Sequence, residues 1–387
     1  MSPRVTVGNR LFGGLFVCVV AALVVAAPAF SSQSPFFLDT QNQLWGATDS
    51  SGKTYLFSGA SGVQLSVGEV DPSGGGGEIA VVRTANNRVL IFNGNNNVVT
   101  KTRLSAVDVA AGRGEVFVRR SNDTIAVLTL GALNPDGTFS RAVTGTNARA
   151  VQMSVGFDFT TTRDFLAFRS PSNRVRFMEV LAGVPEFGSS DLSAVDIVAG
   201  NQKETFIRRP NNRIAVLTID TATAAGITLQ TPIERQRRAV EMGVSRNNPA
   251  GNDFVAFRAL DNSVHFANFA PGAPSSLSIF IAVPDAVATQ VVAAVTEIFI
   301  RRPNDRVQYF TLNAAGTGIT SSPLTDMFAS KLRDTRFTLG PGVIDQIAAV
   351  KGHRLFVSQN NAGGDAIASF FNTGFFVEKV GGFDKFP

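Results

Sequence analysis

One short hairpin motif recurs along almost the whole chain, and its clearest copy is Glu204 to Asp220, ETFIRRPNNRIAVLTID. It reads as a strand over Thr205–Arg209, a tight turn on Pro210-Asn211-Asn212-Arg213, and a second strand over Ile214–Ile219. Beta-branched and aromatic residues on both sides of an Asn-rich turn are the hairpin signal. The unit recurs as EVFVRRSNDTIAVLTL from Glu115 and EIFIRRPNDRVQYFTL from Glu297. A variant recurs from Glu78, Asp164 and Asp253, and two worn copies stand at the ends, from Gln43 and from Arg354.

Each hairpin follows another strand, typified by SAVDVAAG at Ser105 and RAVQMSVG at Arg149. One acid or amide holds a fixed place in it: Gln64, Asp108, Gln152, Asp196, Glu241 and Gln290. The first five fall 44 or 45 residues apart, the length of one four-stranded propeller blade. A weaker fourth strand follows each hairpin. The segments FIRR, IAVLTI and AVDIVAG are apolar on both faces, as sheets sandwiched between other sheets require. Helical periodicity is nearly absent, with a turn or two allowed only over Ser322–Leu332.

The fold expected is all-β, a β-propeller of about eight four-stranded blades, with the AVDIVAG-type strands lining the channel. Two unit types alternate. Counted from Arg83, Arg169 and Arg258, the next strand begins after six residues; counted from Arg120, Arg209 and Arg302, it begins after five. An alternating series closes into a ring only with an even number of units, and roughly 358 residues over eight blades give about 45 each. The first unit lacks room for a fourth strand, and Phe375–Val380 is expected to fill that place. Seven blades plus an N-terminal hairpin is the alternative.

Arg4 and Arg10, an apolar run from Leu11 to Val25, and Ala27-Pro28-Ala29 make a secretory signal peptide over residues 1–29, cut after Ala29. Residues 30–387 then form a single propeller domain. The run is short for a membrane span, so export without stable membrane insertion is expected, to the outside or to a periplasm. The single cysteine, Cys18, leaves with the signal, so packed sheet rather than disulfides must hold the fold. Loss of Arg4 and Arg10 lowers the net charge from +5 to +3. The remaining basic residues form no block, which argues against nucleic acid as a partner.

GRGEVFVRRSNDTIAVLTL, preceded by SAVDVAAG, resembles the blade motif of the PLL-type bacterial β-propeller lectins and, more distantly, the fungal fucose-binding propellers. The resemblance implies a non-catalytic protein that binds glycans at repeated sites between blades. In those lectins the second hairpin strand ends in aromatic residues. Here it ends in Ala126-Val127-Leu128-Thr129, Arg176-Phe177-Met178-Glu179 or Gln308-Tyr309-Phe310-Thr311, and the whole chain has one Trp and two Tyr. A secreted scaffold or adhesion propeller with a protein partner and no sugar site is therefore the second expectation.

The ligand-binding candidates are arginines at strand ends with turn amides: Arg120 with Asn122, Arg209 with Asn211, and Arg302 with Asn304. Arginine offers a planar donor fork to carboxylates or hydroxyls, and the pair recurs three times. Ion pairing with Glu115, Glu204 and Glu297 would explain the same recurrence, and Asn is suited to the left-handed turn position in any case. The ring of Gln64, Asp108, Gln152, Asp196, Glu241 and Gln290 is expected to line the channel, with mixed charges that do not suit a tuned metal site. Only His265 and His353 are present, in different units, and no nucleophile or phosphate-loop motif occurs. No enzyme activity, cofactor or metal is expected.

Overall fold

The computed structural model describes residues 36–39, 41–47, 54–69, 78–93, 98–158, 161, 163–200, 203–223, 226–245, 253–269, 281–293, 297–312, 319–321, 329, 331–334, 346–351, 354–359 and 370–380. The expected signal peptide and most of Ser322–Leu332 lie outside these residues; Leu332 itself is in a strand. The described elements are all strands.

The first unit holds β1 (Phe36–Asp39), β2 (Gln43–Ala47) and β3 (Thr54–Ser61). The second holds β4 (Gln64–Glu69), β5 (Glu78–Arg83), β6 (Arg88–Asn93) and β7 (Val99–Ser105). The third holds β8 (Asp108–Ala111), β9 (Glu115–Arg119), β10 (Thr124–Leu133) and β11 (Phe139–Arg149). The fourth holds β12 (Gln152–Asp158), β13 (Arg163–Arg169), β14 (Arg174–Leu181) and β15 (Val184–Ser193). The fifth holds β16 (Asp196–Ala199), β17 (Glu204–Arg208), β18 (Arg213–Thr223) and β19 (Gly226–Leu229). β20 (Ile233–Val244) begins against β18 and ends in the sixth unit beside β21 (Asp253–Ala259), β22 (Ser263–Phe269) and β23 (Ile281–Val287). The seventh holds β24 (Gln290–Ala293), β25 (Glu297–Arg301), β26 (Val307–Leu312) and β27 (Ile319–Ser321). The last holds β28 (Lys331–Asp334), β29 (Gln346–Lys351), β30 (Arg354–Gln359) and β31 (Phe370–Val380).

All pairings are antiparallel neighbours within a unit, apart from two strands that belong to two units each. β20 is one. β31 is the other: its first half pairs β30 and its second half pairs β1, with Phe37 opposite Val380. Among the described residues four sheets have four strands each, and β20 and β31 join the remaining strands into one eight-stranded and one seven-stranded sheet. The C-terminal strand does complete the first unit, but beside β1 rather than as an outer fourth strand. That shifts the first hairpin: the tight turn lies at Asn42 between β1 and β2, ahead of the worn copy read from Gln43.

The apolar core is split into clusters, each drawn from two successive units. Ile79, Val81 and Ile91 of the second unit pack with Val116, Val118 and Leu128 of the third. Phe117 and Val127 of the third pack with Leu166 and Phe168 of the fourth. The same sharing repeats to the seventh unit, and β1 and β2 pack on the second unit. Sheets covered on both faces need apolar residues in both phases of the strand, as the motif supplies. Among the described residues thirteen phenylalanines are at most 2% exposed, among them Phe117, Phe168, Phe206 and Phe257, each worth about 1.5–3 kcal/mol for leaving water. With the first strands of successive units packed on one another, β4 on β8 and β12 on β16, the arrangement is a β-propeller.

Candidate functional site

The tight turn repeats with one geometry. Asn42, Asn87, Asp123, Asn173, Asn212, Asn262 and Asp305 all have φ between 61° and 65°. Asn and Asp tolerate this left-handed backbone where other side chains do not. The carbonyl of each accepts the N–H of the residue that leads into the next unit: Gly62, Ala106, Ala150, Ala194, Ala239, Ala288 and Ala329, at 2.8–3.0 Å. The six alanines are buried against the turn, which explains the small residue of the AVD and AVQ motifs.

Four residues before six of these seven positions, all but Asn42, stands an arginine. Arg83, Arg119, Arg169, Arg208, Arg258 and Arg301 donate from Nη1 to Asn87, Asp123, Asn173, Asn212, Asn262 and Asp305, at 2.6–3.3 Å. On the other side each is the register partner of the residue expected to line the channel. Arg83 Nε donates to Gln64 Oε1 at 3.1 Å, and Arg119, Arg208 and Arg258 lie 3.3–3.9 Å from Asp108, Asp196 and Glu241. One guanidinium ties the first strand, the second strand and the turn of its own unit.

This corrects the alignment of the repeats. Arg119, Arg208 and Arg301, not Arg120, Arg209 and Arg302, are equivalent to Arg83, Arg169 and Arg258. The next strand begins six residues after the clamp arginine in all six units, so the turn length does not alternate. What alternates is the second strand: five residues separate acid from arginine in Glu78/Arg83, Asp164/Arg169 and Asp253/Arg258, and four in Glu115/Arg119, Glu204/Arg208 and Glu297/Arg301.

The candidate ligand residues occupy the turn itself. Asn122, Asn211 and Asn304 each accept, through Oδ1, the backbone N–H two residues on, at 3.0–3.2 Å, which closes an Asx turn. Arg209 is bound to Glu234 at 2.7 Å, and Arg302 Nε donates to Gln308 at 2.7 Å. Glu115, Glu204 and Glu297, the expected ion-pair partners, lie at the far end of the strand, and the contacts of Arg209 and Arg302 above go to other residues. Arg120 alone has no side-chain hydrogen bond or ion pair among the described residues.

Five of the six first-strand residues open their strands, and Glu241 lies within β20, in the part that pairs β21. Gln64 Nε2 donates to Asp108 Oδ1 at 2.6 Å, and Gln152 Nε2 to Asp196 Oδ1 at 2.8 Å. Among the described residues no group of three His, Cys, Asp or Glu side chains could hold a metal ion. Nor is any helix there long and apolar enough to cross a membrane.

Sequence reading found no companion for His265, and His353 lies outside the described residues. The structure puts Ser263 Oγ 2.8 Å from His265 Nε2, a pairing legible in the i, i+2 spacing along a strand. The hydroxyl also lies 2.6 Å from Asp261 Oδ1, which accepts the Ser263 amide as well, so the proton of the serine points at the carboxylate. Burial, followed by the Arg237 charge, lowers the His265 pKa, and its ring stacks on Phe257 at 5.3 Å. The trio closes a turn rather than arming a nucleophile.

No protein-family model matches the sequence, and no curated protein matches it. Among solved structures the chain is similar to yeast RCC1 (Prp20) bound to Kap60, at 10% identity over 82% of this chain and 88% of that one, with a TM-score of 0.44. It is also similar to the β-propeller domain of Myceliophteria thermophila Cps50 (Swd1), at 6% identity over 73% and 96%, with a TM-score of 0.45. Human WBSCR16 is similar at 9% identity over 74% and 90%, with a TM-score of 0.44. Likeness of this degree carries no functional information, and the propeller architecture rests on the strand order and the shared clusters.

Proposed function

We propose that the protein is an exported, non-catalytic β-propeller that acts as a scaffold for a protein partner. The observation that carries this reading is where the turn groups are spent. Asn122, Asn211 and Asn304 use their carbonyl oxygens to close turns, and Arg209 and Arg302 are held by Glu234 and Gln308. A sugar site needs those donors and acceptors free. The outer strands of the third and fourth units meanwhile present Val143, Val184 and Phe187, each 43–56% exposed. Exposed apolar side chains of this size suit protein contact.

The lectin reading keeps one foothold, Arg120, whose guanidinium is uncommitted. A broad glycan array on the mature protein separates the two. Glycan binding that weakens in Arg120→Ala, with unchanged thermal stability, establishes the lectin. An empty array, with chemical cross-linking to a defined partner that Phe187→Ser abolishes, establishes the scaffold.

Export is proposed on Arg4, Arg10, the apolar run and Ala27-Pro28-Ala29. Intact-mass measurement of the exported protein should give a chain beginning at Phe30 and free of thiol; retention of Cys18 would refute it. The propeller is proposed to close as eight blades, which an experimental density map of the ring would test by direct count.

A further inference from the structure

The seam between the third and fourth units encloses more acid than its surroundings neutralise. Asp164, at the start of β13, reaches back to the β8–β9 hairpin and accepts the Arg113 N–H at 2.6 Å, with the Gly114 and Glu115 amides also facing it. Gly112 makes room: a Cβ there would lie 2.3 Å from the Asp164 carboxylate. Glu115, at the start of β9, brings a second carboxyl to the same place, and its Oε2 is shielded from water without a protein partner. Glu179 on β14 is 1% exposed, and neither of its oxygens has a partner.

We propose that this seam is a proton-held clasp: Glu115, Asp164 and Glu179 stay packed together while protons neutralise them, and alkaline solution loosens the third unit from the fourth. The charged groups around the three carboxyls are Arg113, Arg163, Lys203 and Asp158. The Arg113 guanidinium lies over the Phe157 ring, 4.1 Å from its centre. Lys203 is committed to Asp158 at 3.2 Å. Arg163 is left to serve both Glu115 and Glu179. Carboxyls so placed resist ionisation, because a buried charge without a partner costs more than a buried neutral acid.

Burial pushes Glu115 up to about 9, and the nearby Asp164 and Glu179 charges add to the rise while Arg163 opposes it. Burial likewise carries Asp164 to about 7 against the pull of the hairpin amides. Glu179 also stands near 7, through burial and then the Asp158 charge. A carboxyl whose folded pKa exceeds its unfolded one contributes stability that is full below the unfolded value, and the contribution is lost as pH rises through the folded value. The losses run from about pH 4, where Asp164 begins, to about 9, where Glu115 ends.

The fifth and sixth units repeat the arrangement. Glu204 and Asp253 are both fully buried, and a Cβ on Gly200 would lie 2.5 Å and 2.4 Å from their carboxylates. The burial of an acid pair beside a glycine is therefore a feature of the repeat.

Thermal melting of the mature chain across pH tests the proposal. The wild-type Tm should fall by about 5 °C or more between about pH 6 and pH 9.5, and the fall should shrink at least by half in Glu115→Gln/Glu179→Gln. Asp220→Asn, at an exposed position on β18 away from the clasp, should follow the wild type. A double variant that falls in parallel with wild type overturns the clasp. Should that variant fail to fold, amide exchange on wild type decides. Corrected for intrinsic base catalysis, the amides of Arg113 to Val116 should lose protection at pH 9.5 while those of Val89 and Ile91 in β6 keep it; equal loss at both overturns the proposal.

Discussion

Two kinds of seam alternate between the units, and they hold by different means. Between the second and third units, and again between the fourth and fifth, the first strands touch through small residues. Ser66 and Ser154 accept the N–H groups of Ala111 and Ala199 at 3.0 and 2.9 Å, while Gly68 and Gly156 let the neighbouring carbonyl approach. Between the third and fourth, and between the fifth and sixth, the contact is the pair of buried carboxylates. The cause is the alternation in strand length. One extra residue between acid and arginine turns the acid to the opposite face of its strand. Glu115 thus looks forward and Asp164 back, so second-strand acids meet between the third and fourth units and between the fifth and sixth, whereas at the other two seams the acids Asp108 and Asp196 come from the first strand and accept from Gln64 and Gln152.

The glycines are the sharpest way to break this contrast. A Cβ on Gly156 would lie 2.3 Å from the Gly200 carbonyl oxygen and 2.3 Å from the Phe165 ring, neither of which can swing away. Gly156→Ala should destabilise by about 3 kcal/mol, the upper range for overpacking a rigid site. At the other seam, a Cβ on Gly112 meets only the Asp164 side chain, so Gly112→Ala should cost less, about 1–2 kcal/mol. Denaturant melts of the two variants check the order. A larger loss in Gly112→Ala would reverse the assignment of the stiffer seam.

Much of this was legible in the sequence, and the misreadings have definite physical causes. The four-strand period, the two-sided burial and the existence of two alternating unit types follow from apolar pattern and repetition alone. The place of the alternation did not. In IRRPNNR either arginine can be matched to the single arginine of VVRTANNR, and apolar periodicity cannot choose between them. The left-handed Asn or Asp settles the match, because it lies four residues after the clamp arginine in all six units that have the clamp. Arg119 is thereby the clamp and Arg120 the first turn residue. Clasp chemistry was illegible because Asp164 answers the backbone of Arg113, 51 residues away in sequence. Backbone amides carry no residue signature.

Removing the polar glue of each seam should have smaller effects than adding a Cβ to the rigid one. Asp164→Ala strips the partner from the buried Arg113 amide and should cost about 2 kcal/mol near pH 6, where an orphaned donor is the main loss. Ser154→Ala leaves the Ala199 N–H unsatisfied and should cost about 1 kcal/mol. Only the first loss should shrink at alkaline pH, since the Asp164 charge is itself a burden there. Equal pH dependence for the two variants would contradict the difference between the seams.

The smallest effects concern the arginines, whose guanidinium contacts lie within their own units. Arg119 bridges Asp108 at 3.6 Å and Asp123 at 3.1 Å with about a fifth of its side chain exposed. Arg119→Ala should therefore cost about 1 kcal/mol, more than a freely exposed pair but less than a buried one. Arg120, one residue on, has no partner to lose, and Arg120→Ala should stay within about 0.5 kcal/mol of wild type. A clamp confined to the third unit should also add independently to Gly156→Ala at the seam between the fourth and fifth, within about 0.5 kcal/mol in the double variant. A larger loss in Arg120→Ala than in Arg119→Ala would restore the original alignment, and with it the reading of Arg120, Arg209 and Arg302 as the repeated functional position.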